Sequence, residues 1–277
     1  MRTVENQMFD QERAWYGSED LVLKGCSFDG PADGESACKE CKNIIVEDCF
    51  CNLRYPFWHV HGLQIANSEM TENCRASLWY SDHIQIKNTQ MHGIKALREC
   101  EQVNLEHCDI LSPEFGWSTK DIEMRDCKVQ SEYFMMRSEN IHFDHVDMTG
   151  KYSFQYIQNA TFENCTFDTK DAFWHGHNVT VKNSVIKGEY LAWYSNGLML
   201  IDCKIIGTQP LCYCKNLKLI NCEMIDTDLA FERSDVEATI TTNVMSIKNP
   251  KSGKIIVPSV DEIIRDEEWA KGAVLIK

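Results

Sequence analysis

Phe57-Trp58-His59-Val60-His61 and Phe173-Trp174-His175-Gly176-His177 carry one pattern twice, 116 residues apart. Two His-x-His pairs are a common beginning of a metal site. Fourteen cysteines suggest a disulfide or zinc framework. Glu99 and Glu114 are candidates for the paired carboxylates that glycoside hydrolysis uses, with Arg98 and Arg137 as flanking cations. Each possibility depends on what sets these residues side by side.

A repeat does so. The phrase "Asn/Asp, apolar, x, apolar, x, Asn/Asp, Cys/Ser, x, apolar" reads DLVLKGCSF from 20, NIIVEDCFC from 43 and QVNLEHCDI from 102, and returns along most of the chain. Its starts lie 23, 19 and 21 residues apart, then 19 apart eight times running. Alternation at its second and fourth positions is the period of a strand with one buried face. The seventh and ninth positions form a second buried pair, and a third apolar stretch precedes each phrase, as at Phe57, Leu78 and Phe154. That makes three short strands per unit and leaves no room for a helix. The expected fold is therefore all-β: a single-stranded right-handed parallel β-helix of about 12 coils of about 19 residues. Residues 1–277 are expected as one domain, with an N-terminal cap over 1–19, coils over 20–240 and a C-terminal cap over 241–277.

In such a solenoid each repeat position becomes a column. The two His-x-His pairs fall in the same columns six coils apart, roughly 29 Å at ~4.8 Å per coil. They share no metal ion, and no metal site or cofactor is expected. Seven cysteines share the seventh position with Ser, Thr and Val. They read as buried, reduced thiols. The Asn/Asp column at the sixth position reads as a ladder of turns.

One further column holds Trp58, Trp79, Trp117, Trp174 and Trp193, and the next holds His59, Tyr80, Tyr156, His175, Tyr194 and Tyr213. The column before them has no charge at all and points inward, which places the tryptophans outside. The competing reading is an aromatic core ladder, in which Lys39, Arg98 and Gln155 would be buried. An outward column offers flat aromatic faces flanked by polar groups, suited to stacking on an extended neutral glycan.

The runs GPADGESACKECKN, NLRYPFWHV, GIKALREC, SPEFGW, DAFWH and GTQPLCYCKNLKLINCEMIDTDLAFE resemble the bacterial family catalogued as domain of unknown function 3737, over roughly residues 15–245. The resemblance implies a right-handed β-helix of the pectate-lyase-like type and carries no catalytic residue across. The wider superfamily includes polysaccharide lyases, pectin esterases and glycosidases.

The net charge of −14 disfavours nucleic acid, anionic membranes and acidic polysaccharides as partners. No signal peptide and no apolar run of membrane-spanning length is legible, so a cytoplasmic protein is expected. Three functions remain open: binding or processing of a neutral glycan along the aromatic face, a non-catalytic scaffold for a protein partner, and a calcium-dependent polyuronate lyase. Whether the chain is an enzyme stays open. Its terminal coil or cap is a candidate surface for homo-oligomers.

Overall fold

A computed structural model describes residues 1–277, with strands and turns and no helix. The chain forms two compact units, Met1–Asn140 and Ile141–Lys277. Each is a parallel β-solenoid, and together they hold about 14 turns of about 19 residues. Both are of the right-handed parallel β-helix class.

In the first unit, Arg2–Glu5, Glu19–Lys24, Lys42–Glu47, His61–Ala66, Asp82–Lys87 and Glu101–Glu106 stack in register and end on Lys120–Glu132. One core row runs Leu21, Ile44, Leu63, Ile84, Val103, Ile122. Alternate residues point outward and carry the charges, so a one-residue slip would invert the wall. Short strands such as Ser27–Phe28, Phe50–Cys51 and Glu69–Met70 build a second face. In the second unit Gln158–Glu163, His177–Lys182, Asn196–Ile201 and Leu217–Ile225 repeat the first face.

The cysteine column explains its own composition. Cys49 Sγ reaches the carbonyls of Glu47 (3.2 Å) and Leu23 (3.4 Å). Ser68 does the same chemistry with oxygen: its hydroxyl donates to Ala66 O (2.7 Å) and accepts from Cys49 N (3.0 Å). The position demands a small side chain that donates to its own turn and accepts from the coil before. All 14 cysteines are free and buried. At the neighbouring corner, Asn67 and Asn88 are left-handed (φ 50° and 49°), and Asn88 Nδ2 donates to Asn67 Oδ1 at 3.2 Å.

Three expectations change. The third strand of each coil is mostly a run of turns, with strand geometry only at Leu78–Trp79 and Leu97–Arg98. Residues 1–19 join the ladder, Arg2 opposite Leu21. The tail does likewise: Ser252–Val257 pairs with Asp235–Ile240, Ala273–Ile276 with Ser252–Val257, and Ser259–Ile264 with Asn243–Lys248. These end coils account for the difference between 12 expected turns and about 14 found.

Candidate functional site

The third face carries the aromatic columns. The residue before each tryptophan of the column is core: Phe57, Leu78, Phe173 and Ala192 are fully buried, and Gly116 is buried. The tryptophans follow on the outside of the wall, half-buried. Each indole N–H is bonded to a backbone carbonyl of the next coil: Trp58 to Ala76 (2.5 Å), Trp79 to Lys95 (2.7 Å) and Trp117 to Tyr133 (2.6 Å). In the second unit Trp174 bonds Tyr190 (2.6 Å) and Trp193 bonds Gln209 (2.8 Å). Two of its departures from Trp, Gln155 and Arg98, keep a donor, whereas Met136 and Phe231 do not. Gln155 Nε2 bonds Asp171 O at 3.2 Å, and Arg98 Nη2 bonds the Glu114 carboxylate at 3.0 Å.

The rings stack along the solenoid. Trp58 and Trp79 lie 5.1 Å apart and 5° from parallel, and Trp174 and Trp193 lie 5.4 Å apart and 2° from parallel. Arg98 sits between Trp79 and Trp117, its guanidinium 4.8 Å and 4.5 Å from the two ring centres. The expected strip of open aromatic faces is therefore absent. Faces meet one another and edges meet solvent.

The outer column behaves alike. His59 stacks on Tyr80 at 5.0 Å. Tyr156, His175, Tyr194 and Tyr213 form a continuous stack with steps of 4.8, 5.1 and 4.8 Å. These residues are left-handed, with φ from 52° at His59 to 63° at Tyr194. The conformation is unfavourable for side chains with a Cβ. Bonds between coils hold it, such as His175 N to Trp193 O at 3.0 Å. Tyr80, Tyr156 and Tyr194 are 38%, 46% and 47% exposed.

The charged interruption is an ion cluster. Glu114 meets Arg98 at 3.0 Å and Lys95 at 3.5 Å. Glu99 is exposed and left-handed (φ 50°), as is Arg137 (φ 60°). Glu114 is thus committed to two cations, and Arg98 to a carboxylate and two rings. Elsewhere, Asp82 accepts hydrogen bonds from Nδ1 of His61 and of His83, both at 2.6 Å. Burial pushes its carboxyl up, and the two imidazoles more than offset this, leaving its pKa below the ordinary value. No three His, Cys, Asp or Glu side chains converge as metal ligands. No helix is long and apolar enough to cross a membrane.

Two clefts open outside the aromatic face. One in the second unit, about 470 Å³, follows the Asn/Asp corner, where Lys204 pairs with Glu223 (3.2 Å) and Asn221 with Asp202 (2.6 Å). The other lies in the first unit, about 610 Å³, lined by Asp29, Asp33, Arg54, Glu72, Asn73 and Arg75 among others. Column reasoning missed the second. Its signal was the 23- and 21-residue spacings that break the period.

Fold and surface define a parallel β-helix protein with an aromatic ladder on a face of each unit. The chain belongs to the family described as protein of unknown function (DUF3737), which it matches over residues 2–276. No curated protein matches the sequence. Among solved structures it is similar to the surface adhesin PfbA of Streptococcus pneumoniae, at 10% identity and a TM-score of 0.38, over 84% of this chain and 72% of that one. It is similar also to tailspike protein 3 of bacteriophage CBA120 (9%, TM-score 0.36, 99% and 51%). A third is DFA-IIIase from Arthrobacter chlorophenolicus A6 (7%, TM-score 0.30, 91% and 61%).

Proposed function

We propose that this protein is a non-catalytic binding solenoid that takes an extended neutral glycan along its third face, gripping it by hydrogen bonds to the outer aromatic column. The observation that carries this reading is the continuous Tyr156–His175–Tyr194–Tyr213 stack, half in solvent, with one ring per coil at steps of about 5 Å. Stacked rings hold one another rigid, so ordering them on binding costs little. Phenol and imidazole edges both donate and accept, as sugar hydroxyls do. The net charge of −14 favours a neutral chain over a uronate. Catalysis is not part of the proposal because Glu114 and Arg98 are already engaged with each other.

Affinity electrophoresis through gels containing xylan, mixed-linkage glucan, amylose or mannan tests it. Retardation by at least one polymer, lost in a Tyr156→Ala/Tyr194→Ala variant whose thermal unfolding is unchanged, is the expected result. Migration unaffected by all four polymers, or retardation that survives the double substitution, rejects it. A protein partner is the second reading, favoured by the covered ring faces. Edge-on tyrosines and histidines suit a polar protein surface as well as a sugar.

A further inference from the structure

The repeat breaks twice near the start of the chain, once over residues 29–35 and once over residues 71–76. Both breaks emerge at the same corner of the first unit. Asp29, Gly30, Pro31 and Asp33 come from the first, Glu72, Asn73 and Arg75 from the second, and all line the cleft of about 610 Å³. Asn52, Leu53 and Arg54, from the coil between them, form its floor.

The first insertion is pinned. Gly34 N donates to Asp10 O at 2.9 Å, and Ala32 N to Asp10 Oδ2 at 3.2 Å. A Cβ at Gly34 would lie 2.2 Å from Glu12 N and 2.3 Å from Gln11 C, so only glycine allows this approach. Part of the wall is braced as well. Asn52 Nδ2 donates to Asp29 Oδ1 (2.8 Å), Thr71 Oγ1 to Asn52 Oδ1 (2.5 Å), and Arg54 Nη2 to Asp33 Oδ2 (3.3 Å).

What remains is unspent. The side chains of Glu72 and Arg75 make no hydrogen bond or ion pair within the protein. Arg54 Nε is buried and has no acceptor, a costly state for a guanidinium N–H. The cleft thus offers an acceptor from Glu72 and a donor from Arg75, beside Asn73, whose Nδ2 already donates to Asn52 Oδ1 at 3.1 Å. Three carboxylates face two guanidiniums, so the lining is close to neutral. A bare anion would meet the carboxylates, and a bare cation the guanidiniums. A hydroxyl donates and accepts at once and so complements both. Leu53, Pro31 and Ile94 add apolar surface for the C–H face of a ring.

We infer that the insertion-built cleft is a binding site for a neutral sugar unit, with Glu72 and Arg75 as its hydroxyl-binding pair. This goes beyond the polymer reading of the third face and stands without it. The probes are glucose, galactose, mannose, N-acetylglucosamine and their β-1,4-linked trimers, titrated against the full chain by saturation-transfer NMR and calorimetry. At least one probe is expected to bind saturably in the millimolar range or tighter. Arg75→Ala and Glu72→Gln are each expected to weaken it at least tenfold, with thermal unfolding unchanged, while Tyr156→Ala/Tyr194→Ala leaves it intact. Absence of saturable binding by every probe overturns the inference, as does binding indifferent to Arg75→Ala and Glu72→Gln. Sugar binding lost only in the tyrosine variant places it on the third face, so the two proposals fail separately.

Discussion

The tryptophan columns and the insertion-built cleft are both rich in donors, and they use them in opposite ways. From Trp79 onward the columns keep a strict period, and each indole N–H meets a carbonyl of the next coil, as Trp79 meets Lys95 at 2.7 Å. In the cleft the period is broken, and Glu72, Arg75 and Arg54 Nε have no partner to meet. A repeat offers every side chain the same neighbour one coil away, so a residue retained there satisfies that neighbour. An insertion has no copy in the adjacent coil, and those of its polar groups that no neighbour reaches are left for something else. The columns are accordingly where stability should reside, and the cleft is where a ligand should act.

The largest effect should come from Trp79→Ala. It removes the stack on Trp58, the cover over Arg98 and the bond to Lys95 O. For a half-buried indole the expected loss is about 3 kcal/mol, the low end for Trp→Ala, read from urea unfolding. Trp79→Phe keeps a ring but strands the Lys95 carbonyl, and should cost about 1 kcal/mol. If Trp79→Ala is neutral, the column is not structural and the comparison fails at its stronger end.

The solenoid and its columns were legible because a strict period converts spacing into neighbours. The sequence favoured outward tryptophans, because the column through Phe57 and Phe173 carries no charge, but it left an aromatic core ladder open; the burial of Phe57 and Phe173 decides for the outside. Ring orientation was not legible. It depends on a carbonyl 16 residues ahead, such as Lys95 O for Trp79, held by a left-handed backbone (φ 57° at Lys95) that no local preference announces. The end coils escaped notice because their phrases no longer match, although Arg2–Glu5 and Ala273–Ile276 still pair. The cleft was missed because a break in spacing does not say toward which side the extra residues bulge.

Gly34→Ala tests whether the cleft wall is built or merely loose. The new Cβ would meet the backbone of Gln11 and Glu12, so the loop over 29–35 must shift, at a cost of about 1–3 kcal/mol. Sugar affinity should fall with it. Unchanged stability and affinity would mean that the loop has no fixed seat.

The buried thiols give a pH-dependent test of the strict region. Burial pushes Cys100 and Cys165 up to about 12 from an ordinary 9.0. A thiol held protonated in the fold stabilises it fully below 9.0, and this contribution is lost as pH rises from there through about 12. Alkaline unfolding should fall in that window, earlier for the wild type than for Cys100→Ala/Cys165→Ala. At pH 8 a disulfide reagent should leave the 14 native cysteines unmodified and react with all of them in urea. Rapid modification of the native protein would show that the coils open far more readily than their bonding implies.

The smallest effect on stability is expected where the effect on binding is largest. Arg75→Ala removes an exposed side chain with no partner in the protein, and such changes fall within about 0.5 kcal/mol of zero. Arg54→Ala, by contrast, breaks the bond to Asp33 and leaves that carboxylate without its cation, an exposed pair worth up to about 1 kcal/mol. The two arginines line one cleft, so the difference between them isolates bracing from recognition. If Arg75→Ala destabilises the fold as much as Trp79→Ala does, the residue belongs to the scaffold, and the line between the strict columns and the broken corner disappears.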